Sequence, residues 1–217
     1  FEISLFAECC AEFDRPTSRG DLYDAYILKC CERAENTAVV RRIFGAMADQ
    51  MRRRLSSTLT MAEVWRLADK VLETHGGRSQ TVTAALNCGV VETRQGRCSF
   101  RHEMLERWFQ AEEMARTTAP AELGRELARP RNLALVEFVL SAESNETIIR
   151  HLLETLGDPE FVIAAALGQF GDPAYRVVEA DCLKMLNRAQ SALQSMDFEL
   201  HDEDSWGRLE ASGGMFL

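Results

Sequence analysis

Apolar residues recur at three- and four-residue intervals along almost the whole of this chain, and at one place they do not. In GVVETRQGRCSFRH, residues 89–102, the spacing drops to two. Two short strands are expected there, around a turn at Arg94-Gln95-Gly96-Arg97. Nowhere else is the strand signal convincing. That single change of period makes the expected fold mostly α with one small β-hairpin.

Helix punctuation sets the order of elements. A short apolar helix is expected at about residues 2–12. DRPTSRGD then breaks the pattern, and Ser18 with Asp21 resembles a capping pair. The next helix carries Leu22, Tyr23, Tyr26, Ile27 and Cys30 on one face, until AENT interrupts it. A longer helix, Val39 to Leu55, places Val40, Ile43, Phe44, Met47, Met51 and Leu55 at helical spacing. Its closing run, Arg52-Arg53-Arg54, suits the negative end of a helix dipole and reads as a solvated face.

TMAE opens the next helix with a capping box, Thr60 at the N-cap and Glu63 at N3. Met61, Val64, Trp65, Ala68, Val71 and Leu72 form its expected buried stripe. HGGRS stops it, and a short helix from Ser79 to Asn87 follows. A further helix starts at once after His102, with Trp108 and Phe109 expected in the core. Three helices and then a hairpin is the order of a winged-helix domain, expected over 36–116, with a helical segment over 1–35.

Beyond Pro120 the chain is helical again. LGDPEF at 156–161 and FGDPAY at 170–175 repeat one phrase. In each, Gly ends a helix, Asp caps the next and Pro takes its first position. The small apolar stretch VIAAALGQ lies between them. This pattern predicts stacked helices over 117–217, ending in an acidic tail from Ser195.

Charge and cysteine usage bound the function. The net charge is −9, which argues against general phosphate-backbone binding. Lys29, Lys70 and Lys184 are the only lysines, so the cations are nearly all arginine, suited to ion pairs and phosphate forks. No run of eighteen apolar residues exists, and no membrane span is expected. Seven cysteines with no CxxC read as small core residues of a protein in a reducing, cytoplasmic compartment. The chain opens on Phe1 and reads as a piece of a longer protein.

The stretch ALNCGVVETRQGRCSFRHEMLERWFQAEEMA, residues 85–115, resembles the winged-helix segment of STAND-class NTPases, the NACHT and NB-ARC group. The matching positions are Gly89, Phe100, His102, Trp108, Phe109 and Ala111. Upstream, RPTSRGDLYDAYI resembles the lid-helix phrase of NACHT proteins at Arg19, Leu22 and Tyr23. Downstream, LGDPEFVIAAALGQFGD resembles a HEAT-like repeat. The three occur in the family's order of lid, winged helix and repeats, although the last forty residues match nothing in it.

The resemblance implies a role for His102. In the family, the winged-helix histidine touches the β-phosphate of ADP and holds the closed, resting state. His102 would then be the ADP sensor, with Arg101 a neighbour. The longer parent would bind ADP at rest, exchange it for ATP, form a homo-oligomer and signal, in some bacterial members as antiviral defence. Its implied partners are an upstream nucleotide-binding domain of the same protein and a protein ligand held by the repeats. The chain itself carries no GxxxxGK[ST] and no Walker B strand. It is expected to be a switch and scaffold, not an enzyme, with the main half of the nucleotide site before Phe1.

Other readings stand beside this one. His102 at a helix start also suits plain capping or solvation. Cys88, Cys98 and His102 match no standard zinc framework, and Cys98 with His102 lacks an orienting acid for nucleophilic work. A winged helix can bind DNA, and SQTVTAALNCG offers Ser79, Gln80, Thr81, Thr83 and Asn87 with Arg78 before it. The acidic total weighs against that. A helical adaptor that never meets nucleotide is the remaining alternative.

Overall fold

The computed structural model describes residues 18–195, with 33 and 35 excepted. The helix expected at 2–12 and the acidic tail beyond Ser195 lie outside the described residues. The chain divides into two compact units, Phe1–Val177 and Val178–Leu217. The described part is mostly helical with one small three-stranded antiparallel sheet.

The N-terminal elements start where their caps place them. Helix α1 is Arg19–Cys30, and the Ser18 hydroxyl accepts from Asp21 N at 3.1 Å. Helix α2, Thr37–Arg54, starts from Asn36, whose side chain accepts from Val39 N at 3.1 Å. These caps satisfy helix-start N–H groups that have no partner within the helix.

A strand of two residues, β1 (Leu59–Thr60), precedes α3 (Met61–His75). Helix α4 (Ser79–Asn87) leads into β2 (Val91–Arg94) and β3 (Arg97–Phe100). The sheet order is β1-β3-β2, antiparallel throughout, with Leu59 opposite Cys98 and Val91 opposite Phe100. This is the winged-helix arrangement. The hairpin turns on Gln95 and Gly96, at φ 50° and 74°. Two successive left-handed residues match the right-handed twist of the flanking strands. The third strand is an addition to the expected hairpin. Two residues are too few to show an alternation, so β1 exists only by pairing with β3.

Helix α5, Glu103–Thr117, is the centre of the unit. Successive helical residues point about 100° apart. Phe109 therefore faces one neighbour and Trp108 another. Phe109 meets Phe44 of α2 at a centroid distance of 5.1 Å and Phe100 of β3 at 5.7 Å. Trp108 turns away to Tyr23 of α1 and to Phe138. Both residues of the pair are buried, as their spacing predicts.

The α2 stripe is buried from Val40 to Met51, but Leu55 is 83% exposed. Leu55 is the C-cap, in the left-handed region at φ 52°. Ser56 N bonds back to Met51 O at 3.0 Å, the tight reversal of a Schellman motif, and that reversal swings Leu55 outward. The arginine run is not simply solvated. Arg52 and Arg53 pair with Asp49 at 2.8 and 2.6 Å, and Arg54 reaches Glu63. In α3 only Val64 and Ala68 are buried. Met61, Trp65, Val71 and Leu72 are half-buried, because α3 lies at the edge of the unit.

Helices α6 (Pro120–Leu127), α7 (Val136–Ala142), α8 (Glu146–Leu156), α9 (Pro159–Ala166) and α10 (Asp172–Ser195) follow, with a 3-10 turn at Pro130–Leu135 before α7. The first GDP phrase behaves as read. Gly157 ends α8 in the left-handed region at φ 62°, and Asp158 caps α9 by accepting from Glu160 N at 2.9 Å. The second differs. Asp172 is already helical, and Gly171 O takes the first helical bond, from Tyr175 N at 3.2 Å. In α9 only Ala165 is buried, while Val162, Ile163 and the following Leu167 are exposed.

Candidate functional site

The strand–helix corner after β3 is built by two local devices. Arg101 N bonds to Val90 O at 3.0 Å, which extends the hairpin ladder one residue beyond Phe100. His102 then takes an extended conformation, φ −142° and ψ 139°, and becomes the N-cap of α5. Its Nδ1 accepts from Met104 N at 3.2 Å, and its carbonyl accepts from Leu105 N and Glu106 N. The capping role considered for this histidine is therefore real.

Capping also fixes the ring chemistry. With Nδ1 accepting, the neutral imidazole carries its proton on Nε2. The ring is half-buried at the corner, next to exposed Arg101. Gly89, at φ 92°, lies beside the Arg101 guanidinium, 4.0 Å from where a Cβ at 89 would stand. The corner thus brings an imidazole and an arginine to the start of a fifteen-residue helix, whose Met104 N–H is taken up by the His102 ring.

Two carboxylates oppose the positive end of that helix. Glu103 is exposed on the first turn of α5, and Glu106 is half-buried behind it. Burial and then the nearby Glu103 push the Glu106 carboxyl up from its ordinary value. Glu103 is drawn off by an ion pair with Arg107. The two carboxylates weaken the positive field of the helix start, and leave Arg101 as the nearby cation in the chain.

A second polar constellation has no counterpart in the sequence motifs. Arg41 of α2 reaches Asp24 of α1 at 2.6 Å and Glu112 of α5 at 3.1 Å. Burial works to lower the Arg41 pKa, and the two carboxylates outweigh it, so it stands raised. Burial raises Glu112 in turn, with Arg41 partly offsetting it. The cluster borders a cavity of about 340 Å³ that also meets Ser18, Glu143 and Asp172. Glu112 Oε2 and Trp108 Nε1 are buried beside it without a hydrogen-bond partner. Asp24 and Glu112 lie 17 and 71 residues from Arg41 in the chain, which is why no pattern announced the cluster.

Cys98 is buried in β3, opposite Leu59. Among the described residues, no group of three or more His, Cys, Asp or Glu is placed to hold a metal ion. His75 and His151 are exposed, as expected of surface residues, and His201 lies outside the described residues. Arg78, Ser79, Gln80, Thr83 and Asn87 of the α4 region are exposed, but Thr81 faces the core and is buried, so it is not available to a base edge. No family model, curated protein or solved structure matches this chain.

Proposed function

We propose that this chain is the regulatory middle segment of a longer STAND-class NTPase, with its winged helix as the sensor of bound ADP. The observation that carries the reading is the corner itself. A histidine sits between the last winged-helix strand and the next helix, with Nδ1 accepting from Met104 N at the helix start and Arg101 beside it in the chain. A donor in that position suits a phosphate oxygen presented by a neighbouring nucleotide-binding domain.

On this reading the parent rests with ADP, exchanges it for ATP, forms a homo-oligomer and signals from the cytoplasm. The helices after α5 would take the protein ligand as HEAT-like repeats. Among the described residues, no helix is long and apolar enough to cross a membrane.

The test separates capping from phosphate contact. Asn is among the best N-cap residues, so His102→Asn keeps the helix start and removes the imidazole. In the full-length protein, ADP affinity should fall about tenfold, the scale of one hydrogen bond to a charged group. The melting temperature should stay close to wild type. Unchanged ADP affinity in a folded His102→Asn protein would refute the sensor role.

A further inference from the structure

This acidic chain gathers four arginines around one cavity. The last turn of α2 supplies Arg52 and Arg53. The stretch after α6 supplies Arg129 and Arg131, on either side of Pro130. Together with Thr118 and Glu122 they line a space of about 460 Å³.

The carboxylates at this place do not cancel the arginines. Asp49 alone answers both Arg52, at 2.8 Å, and Arg53, at 2.6 Å. Glu126 pairs with Arg129 at 2.8 Å. Glu122 is exposed on the first turn of α6. Three carboxylates therefore stand against four guanidiniums. Among the described residues, Arg131 has no ion-pair partner, and its side chain is exposed. The Nε of Arg52 is buried and has no hydrogen-bond acceptor. A charged donor left unpaired costs free energy, which an added acceptor recovers.

We propose that this cavity binds a small phosphorylated compound through its phosphate oxygens. The inference rests on the arginine placement and not on the nucleotide reading.

The donors suit that chemistry. A guanidinium carries five N–H groups in a planar fork that matches the oxygens of a phosphate. Arg131 offers its whole fork. Arg53 and Arg129 are 65% and 55% exposed, and each keeps N–H groups beyond its carboxylate contact. A phosphate group brings nearly two negative charges and three acceptor oxygens, so it can engage more than one fork. The carbonyl ends of α2 and α5 oppose an anion here, and the start of α6 favours one. The excess guanidinium charge thus decides the sign of the ligand. A long polyanion matches less well, because the net charge of −9 repels nucleic acid outside the cavity.

The test is arginine footprinting of the full-length protein with phenylglyoxal, with and without inorganic pyrophosphate as the probe. Cleavage after glutamate isolates residues 127–137, LARPRNLALVE, with Arg129 and Arg131. It also isolates residues 36–63, with Arg53, and residues 93–103, with Arg94 of the hairpin. Pyrophosphate should slow modification of Arg131 and Arg53, while Arg94, 81% exposed, keeps its rate. At about ten times the half-protecting concentration, the Arg131 rate should fall to roughly a tenth, because only empty sites react. In Arg131→Gln, the concentration that half-protects Arg53 should rise about tenfold, the scale of one hydrogen bond to a charged group. Pyrophosphate bound only at a nucleotide site elsewhere would leave Arg131 and Arg94 reacting alike, and that result overturns the proposal. It is equally overturned if sodium chloride at the same ionic strength protects as well, or if Arg131→Gln leaves the protection of Arg53 unchanged. Protection by a DNA duplex without protection by pyrophosphate would assign the arginines to nucleic acid instead.

Discussion

The rings of Tyr23 and Trp108 stack with centroids 5.2 Å apart and 12° between their planes. Tyr23 belongs to α1, before the winged helix, and Trp108 to α5, at its end. Phe138 of α7 closes the group edge-on, 5.8 Å from Tyr23 and 6.4 Å from Trp108. The three stretches of chain that the sequence separates thus share one aromatic cluster. Tyr23→Ala should destabilise by about 4 kcal/mol, the usual cost of truncating a buried aromatic. Because the cluster is shared, calorimetry should show the α1, winged-helix and α7 signals shifting together in one transition. A separate early transition for α1 alone would show that the cluster does not couple them.

Gly20 places the start of α1 directly on the end of α7. A Cβ at this position would overlap the backbone carbonyl of Ser141, which has no side chain to move aside. Gly20→Ala should therefore destabilise by roughly 2 kcal/mol, in spite of the better helix propensity of alanine. Urea unfolding of the variant checks this, and a gain in stability would mean that α1 shifts freely on α7.

The capping box of α3 predicts a pH dependence. Glu63 accepts from Thr60 N at 2.8 Å and from the Thr60 hydroxyl at 2.9 Å, and it pairs with Arg54. The backbone bond first, and then Arg54, lower its pKa from 4.5 to about 2. A folded value below the unfolded one means stabilisation that is complete above 4.5 and lost as pH falls toward 2. Glu63→Gln keeps an acceptor in the box but cannot titrate. Its stability should fall less steeply than wild type through that window, measured by urea midpoints at successive pH values.

Among the described residues, two positions carry non-glycine residues in the left-handed region, Leu55 at φ 52° and Gln95 at φ 50°. Leu55 is also 83% exposed, so its side chain contributes little packing there. Leu55→Gly should raise stability by about 1 kcal/mol by relieving the left-handed strain. Gln95→Asn should add a few tenths, since Asn-Gly is the preferred pair for this turn. Thermal melts of each variant and of the pair should show additive gains, the two sites belonging to separate structural features.

The GlyAspPro phrases show how far local reading reaches. At Gly157-Asp158-Pro159 the cap forms as its letters imply, because each bond in it is made within a few residues. The same letters at 171–173 give a helix that starts one residue earlier, although Gly171 takes the left-handed φ in both readings. Here the Cβ of any residue at 171 would press on Ser18 at 3.2 Å, a neighbour the local sequence does not contain. The Leu55 position fails for a related reason. Helical spacing counts it into the stripe, while the chain reversal after Arg54 removes it.

The candidate site divides in the same way. His102 and Arg101 are adjacent in the chain, and a change of hydrophobic period marks the corner on which they sit. The Arg41–Asp24–Glu112 cluster carries no such mark. It joins residues from different helices, and pattern rules see only spacings of a few residues.

By itself the sequence determined the helix starts at Ser18, Thr60 and Asp158, the hairpin, its turn and the order of elements that makes a winged helix. These rest on capping atoms, φ preferences and hydrophobic period, all local in range. The tertiary structure alone decided the third strand, the shared Tyr23–Trp108–Phe138 cluster and the half-buried ion cluster of Arg41, Asp24 and Glu112. Those depend on which helix faces are brought together. Packing free energy summed over distant parts of the chain selects those faces, and no short segment encodes that sum.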